Sequence, residues 1–206
     1  GYDMPMPPLP AVMKTDLRWN SGAEWANGKS GFTSFDQTSA TNYADGKSVV
    51  FDISGANTNA IALNTEVKPA ATYLMAPVDH DYTISGTGSI GGNGDVWKSE
   101  RGNVTINANI TTTGKTIVSN GVLNVNGTIS GNLSLRALGS LGGKTTINGD
   151  VELKGSLHNK GCRLMPREVM TFGKSLNIAN GKINGLVVEA TLGNGKADMI
   201  KVNGSL

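Results

Sequence analysis

Val104-Thr-Ile106-Asn-Ala108-Asn-Ile110, followed by Val122-Leu-Asn-Val125-Asn-Gly-Thr-Ile129-Ser-Gly-Asn-Leu133-Ser-Leu135, is the stretch that decides the fold. Apolar residues alternate there with Asn, Thr and Ser. A Gly, often beside Asn, closes each run. Period-two alternation sends one set of side chains inward and the other outward, the pattern of a half-buried strand. Gly and Asn tolerate positive φ and so mark the corners between strands. No run is long enough to bury its own core, so the strands must stack on one another. The rhythm continues through Leu138-Gly-Ser-Leu141 and Thr146-Ile147 to Val151-Glu-Leu153 and Leu157.

Composition agrees. Of 206 residues 28 are Gly, aromatics make up 5% and charged residues 17%. This is turn-rich β structure with an amide- and hydroxyl-lined surface, not a helical bundle or an acidic disordered chain. The formal charge of +2 and the lack of a Lys/Arg run argue against nucleic acid as a partner. One cysteine, Cys162, excludes an internal disulfide. No apolar stretch reaches the length of a membrane-spanning helix, and no signal peptide is read.

Outward from the deciding stretch, residues 1–15 contain YDMPMPPLP and read as an extended proline-rich linker. Residues 16–100 read as a more irregular N-terminal β cap, with Trp19 and Trp25 as core. Residues 101–206 read as the repeating coil, with an insertion at 158–174 where larger charged residues break the rhythm and Pro166 opens a helical turn. The expected fold is therefore all-β: a single-stranded parallel β-helix, or solenoid-like coil, behind that cap. The alternative is a β-sandwich. Ending in mid-pattern, the chain reads as a piece of a larger protein.

The succession Trp19-Asn, Trp25, Asp45-Gly-Lys-Ser-Val49-Val50-Phe51-Asp, Val67-Lys-Pro69, Tyr82-Thr-Ile84-Ser-Gly-Thr-Gly-Ser-Ile90-Gly-Gly and then Gly/Asn-rich rungs resembles a known kind of module. It is similar to the autotransporter-type β-strand repeats appended to secreted Bacteroidetes enzymes that degrade pectin and rhamnogalacturonan. It also resembles the passenger β-helix of autotransporter adhesins, and Asp198-Met-Ile-Lys-Val-Asn-Gly204 is similar to a late segment of such passengers. The resemblance implies a non-catalytic structural or carbohydrate-binding accessory module of a secreted or cell-surface protein, with a parent catalytic domain in the same chain. A fragment of an adhesin or passenger is the second implied reading. A polysaccharide lyase or glycosidase is the third. The module family brings no catalytic residues to carry over.

The residues themselves offer few sites. His80 and His158 lack a nucleophile elbow, and paired carboxylates for glycosidic chemistry are not evident: Glu152 and Glu189 lie in separate strands. The turn Asp79-His80-Asp81, through its two carboxylates, and Asp95 are the candidate oxygen donors for calcium; no other cofactor is expected. Polysaccharide is the expected partner: Trp97 and Tyr82 are candidate platforms for sugar faces, and Arg163 and Arg167 are candidate carboxylate clamps. The two arginines belong to a basic group completed by Lys154, Lys160 and Lys174.

Overall fold

The computed structural model describes residues 15–55, 59–155, 161–178, 187–193 and 196–205. Short strands wind into a β-solenoid of about six turns. Three parallel walls run along it. The first wall stacks Leu17–Trp19, Val49–Phe51, Ala71–Leu74, Asp95–Lys98, the starts of Thr116–Val125 and Leu133–Gly143, then Val151–Lys154 and Leu176–Ile178. The second stacks Ala60–Ala62, the start of Tyr82–Ile90, Asn103–Ile110, the ends of Thr116–Val125 and Leu133–Gly143, then Arg163–Pro166 and Val187–Val188. The third runs from Glu66–Val67 through Thr128–Ile129, Thr146–Ile147 and Val169–Phe172 to Met199–Val202. Every pairing along the walls is parallel, so the sandwich alternative does not form.

The alternation becomes a core because each inward position lies over the same position one turn away. Val67, Ile90, Ile110, Ile129, Ile147, Phe172 and Val202 form one such column in the third wall. Tyr82, Val104, Leu123, Leu141 and Leu164 form another in the second. Most of these side chains are fully buried, and each such aliphatic contributes about 1.5–3 kcal/mol by leaving water.

Corners are held by amides and carboxylates. Asn109 Oδ1 accepts from Thr128 N (2.9 Å), Asn126 Oδ1 from Lys144 N (3.0 Å), Asn132 Oδ1 from Asp150 N (2.8 Å) and Asp95 Oδ1 from Lys115 N (2.8 Å). In each case a side chain on one turn satisfies a backbone donor that the bend on the next turn would otherwise orphan. Gly143, at φ 104°, turns the corner where a Cβ would also press on Val125 O.

The N-terminal end is closed differently. Phe32–Ser34 lies antiparallel to Leu17–Trp19, and Ala40–Thr41 antiparallel to Phe32–Ser34. This flap brings Phe32 to 5.0 Å from Trp19, and Tyr43 to 5.8 Å from Trp25, which itself meets Phe51 at 5.0 Å. Trp19 and Trp25 are fully buried. Among the described residues no helix is long and apolar enough to cross a membrane.

Two expected boundaries shift. The coil begins at Leu17, not after residue 100, because Leu17–Trp19 already pairs in parallel with Val49–Phe51. The irregular part is the flap alone. The expected insertion at 158–174 is, over its described part, ordinary coil: Leu164 lies on Leu141 and Phe172 on Ile147, with no helical turn after Pro166. Its charged residues alternate with inward Leu164, Pro166, Met170 and Phe172, so the rhythm persists beneath the charge. The linker expected at 1–15 lies outside the described residues save Thr15, as do Leu157 and residues 158–160.

Candidate functional site

On the outer surface of the second wall the polar half of the alternation forms its own columns. Thr105, Asn124, Gly142 and Met165 share one row, and Ser85 and Asn107 are paired in the row beside it. Asn126 Nδ2 donates to Asn107 Oδ1 (2.8 Å), and Asn107 Nδ2 donates to Ser85 Oγ (3.0 Å). With its Oδ1 on Lys144 N, the Asn126 amide is held in one orientation. Glycine at 142 is a matter of space: a Cβ there would run into Asn124 Oδ1. The missing side chain opens a floor beside Asn124.

That floor belongs to a surface groove of about 460 Å³ lined by Thr105, Asn124, Asn126, Lys144, Arg167 and Glu168, with Gly143 at its corner. A second hollow of about 420 Å³ shares Asn126 and Lys144 and runs on over Thr128, Thr146 and Thr171. Lys144 Nζ bonds Glu168 Oε2 at 2.7 Å, both side chains well exposed, so the pair forms a wall that solvent or a ligand can loosen. Glu168 adopts φ 55°, and its N–H donates to Asp198 Oδ1 (2.7 Å). Asp198 also accepts from Thr191 N (2.9 Å), and these backbone donors hold its carboxyl below the usual range. Asp198 thereby pins the turn that carries Arg167, whose own N–H donates to Gly143 O (3.1 Å). Amides, hydroxyls and a guanidinium on a fixed turn suit the hydroxyls and carboxylate of an acidic sugar.

The expected site residues do not converge. Arg167 lines the groove. Arg163 lies on the second wall and pairs with Glu189 at 3.1 Å. Lys154 pairs with Glu152 at 3.3 Å, and Lys160 lies outside the described residues. The basic group is thus spread over separate walls. Tyr82 points inward, 1% exposed, beside Phe51 and His80, and its hydroxyl donates to Asp52 O. Burial pushes that phenol up, and no ring face is left for a sugar. Trp97 does face outward, on the first wall between Tyr73 and Ile117, with the Arg136 guanidinium 5.4 Å from its ring.

Sequence reading missed Lys98. It occupies an inward position between Leu74 and Val118, fully buried, and its Nζ donates to Ser99 O (2.9 Å), Glu100 O (2.8 Å) and Asn120 O (2.9 Å). Burial lowers its pKa to about 8. A lysine at an apolar position of the alternation is the sequence signal. Cys162 is buried with its thiol against Leu135 O (3.3 Å) and Lys154 O, and burial pushes its pKa up despite the adjacent Arg163. His80 is 6% exposed and edge-on to Tyr82; Asp81 accepts from Asn103 N (2.8 Å). Among the described residues no three His, Cys, Asp or Glu side chains gather as metal ligands.

No family model matches the chain, and neither a curated protein nor a solved structure is found similar to it.

Proposed function

We propose that this chain is a non-catalytic accessory module of a secreted or cell-surface polysaccharide-degrading protein. On this reading it acts as a stiff spacer that also holds acidic polysaccharide weakly. The observation that carries the reading is the groove in which the outward Thr105 and Asn124 lie beside Lys144 and Arg167. The wall beneath is a stack of mutually bonded turns, which suits a rigid support. The groove floor supplies the neutral hydrogen bonds a sugar ring needs, and Arg167 supplies a carboxylate partner. Calcium is no part of this reading.

Titration calorimetry with oligogalacturonate and with neutral galactan tests it. The acidic ligand binds in the high micromolar range and salt weakens it by screening. Arg167→Ala weakens binding about tenfold or more, the usual cost of a lost charged hydrogen bond. Arg163→Ala, already paired with Glu189, leaves binding unchanged. Equal heats from acidic and neutral ligands, or an unaffected Arg167→Ala protein, overturn the proposal.

A further inference from the structure

The second hollow, on the third wall, has a chemistry of its own. Its outward column runs Thr128, Thr146, Thr171, Lys201 by register, over the inward Ile129, Ile147, Phe172 and Val202. The hydroxyls of Thr112 and Thr145 are spent at buried positions, on Gly94 O (2.6 Å) and Gly127 O (2.8 Å). Those of Thr128, Thr146 and Thr171 take no partner among the described residues, and all three line the hollow. Stacked turns set them about 4.8 Å apart. Beside them stands an apolar strip. Val169, also in the lining, is 36% exposed, and Met199, one turn on, is 54% exposed. Among the described lining residues the only charge is Lys144, at the edge shared with the first groove.

We infer that this hollow is a second sugar subsite, for a neutral sugar that carries a methyl group and is joined to the acidic sugar of the first groove. The inference rests on the reading of that groove as a site for an acidic sugar. Continuity selects a ligand of two or more sugars. Asn126 and Lys144 line both hollows, so one ligand crossing this corner touches both. The Asn126 amide at the crossing is already fixed by Asn107 Oδ1 and Lys144 N, so it meets a ligand without reorganising.

Charge selects a neutral sugar for the second position. A carboxylate there finds only Lys144, which already pairs with Glu168 at 2.7 Å, and it lies against Val169. Drying a charge against an apolar side chain without a partner is costly, and a neutral ring avoids that cost. A pyranose ring has an apolar C–H face and a rim of hydroxyls. The threonine column suits the rim, and Val169 with Met199 suits the face. The step of about 4.8 Å between threonines is close to the length of one pyranose unit, so a ring across the column reaches two hydroxyls. A methyl on that sugar, as a deoxy carbon or in an acetyl group, adds apolar area that the exposed Val169 and Met199 bury. The favoured ligand is therefore a glycan that alternates acidic and neutral sugars, in preference to a uniform polyuronate.

Titration calorimetry of the full chain compares three oligomers of equal length. One is oligogalacturonate, one alternates galacturonate with a 6-deoxyhexose, and one alternates glucuronate with an N-acetylhexosamine. At least one alternating oligomer binds about tenfold more tightly than oligogalacturonate, the worth of two neutral hydrogen bonds. Which of the two it is names the source of the methyl. Thr146→Val combined with Thr171→Val keeps the β-branched shape of the strands and removes only the hydroxyls. That double variant erases the preference and leaves oligogalacturonate binding unchanged. Val169→Thr reduces the preference severalfold, and Arg167→Ala weakens all three oligomers. A preference that survives the double variant, or oligogalacturonate bound as tightly as both alternating oligomers, overturns the inference. The acidic groove then still stands if Arg167→Ala weakens binding. No heat from any oligomer overturns both.

Discussion

The N-terminal end and the middle of this coil solve the same packing problem with different residues. Around the first turns the interior is aromatic: Trp19, Trp25, Phe32, Tyr43, Phe51 and Tyr82 meet edge-on or tilted, with adjacent centroids 5.0 to 6.2 Å apart. From Ile90 to Leu153 the apolar interior is aliphatic and repetitive. A middle rung has a neighbour above and below, so an Ile on an Ile fills the column. The first rung has only one neighbour, and large rings from an antiparallel flap must supply the missing layer. The flap also shields the first part of the strand edge that would otherwise invite pairing with another chain. An irregular sequence closes the coil and a regular one extends it.

Substitutions sharpen that contrast. Trp25→Ala empties the centre of the aromatic layer, where no repeat can close the void, and costs about 3–5 kcal/mol in urea unfolding. Ile147→Ala leaves one gap in a continuous column between Ile129 and Phe172 and costs about 2–5 kcal/mol, toward the lower end if the rungs relax together. If Ile147→Ala proves the more damaging, the cap is not where the coil depends most on individual side chains. Asn126→Ala removes a corner acceptor and an exposed amide bond, and costs about 1 kcal/mol, read from the same urea midpoints.

The dependence on pH also divides by region. Lys98 has its folded pKa lowered to about 8, so between there and the ordinary lysine value the unfolded chain holds a proton the folded chain has lost. Stability therefore rises with pH across that window. Tyr43 and Tyr82 of the aromatic layer are pushed above the ordinary phenol value by burial, so above about pH 10 the folded chain retains protons the unfolded chain releases, and stability falls. Urea midpoints measured from pH 7 to 11 should pass through a maximum near pH 10. Lys98→Met should flatten the rising limb and leave the fall. A rising limb unchanged in Lys98→Met assigns it to another group.

Legibility differed along the chain for physical reasons. Ile110, Ile129 and Ile147 were readable as core because small polar residues separate them, and a two-residue period stands out against Asn and Thr. Leu164 and Phe172 hold the same kind of position, but Arg163, Arg167 and Glu168 between them resemble a solvated loop. Outward residues of a coil are free to be charged, and charge there hides the period without breaking it. Lys98 breaks the period at an apolar position, but its partners could not be read: its charge suits three carbonyls that converge only when the turns stack. Of the groove, Arg167 was singled out from its charge. Asn124 and Lys144 were not, since nothing near them in sequence marks either as special.

Alternation and the Gly/Asn corners were enough, without coordinates, to establish an all-β chain with an aliphatic interior, coil or sandwich, because inward positions always meet inward positions whatever the pairing. The pairing itself was settled only in three dimensions. Residues stacked on adjacent turns lie from 17 apart, as Val118 and Leu135, to 32 apart, as Leu17 and Val49. No fixed repeat length predicts which corner lies above which. A shift of one residue moves a whole strand's side chains to the other face. The meeting of Asn124, Lys144 and Arg167, the inward turn of Tyr82 and the threonine column of the third wall all depend on that register, which the stacked backbone hydrogen bonds and corner amides set together.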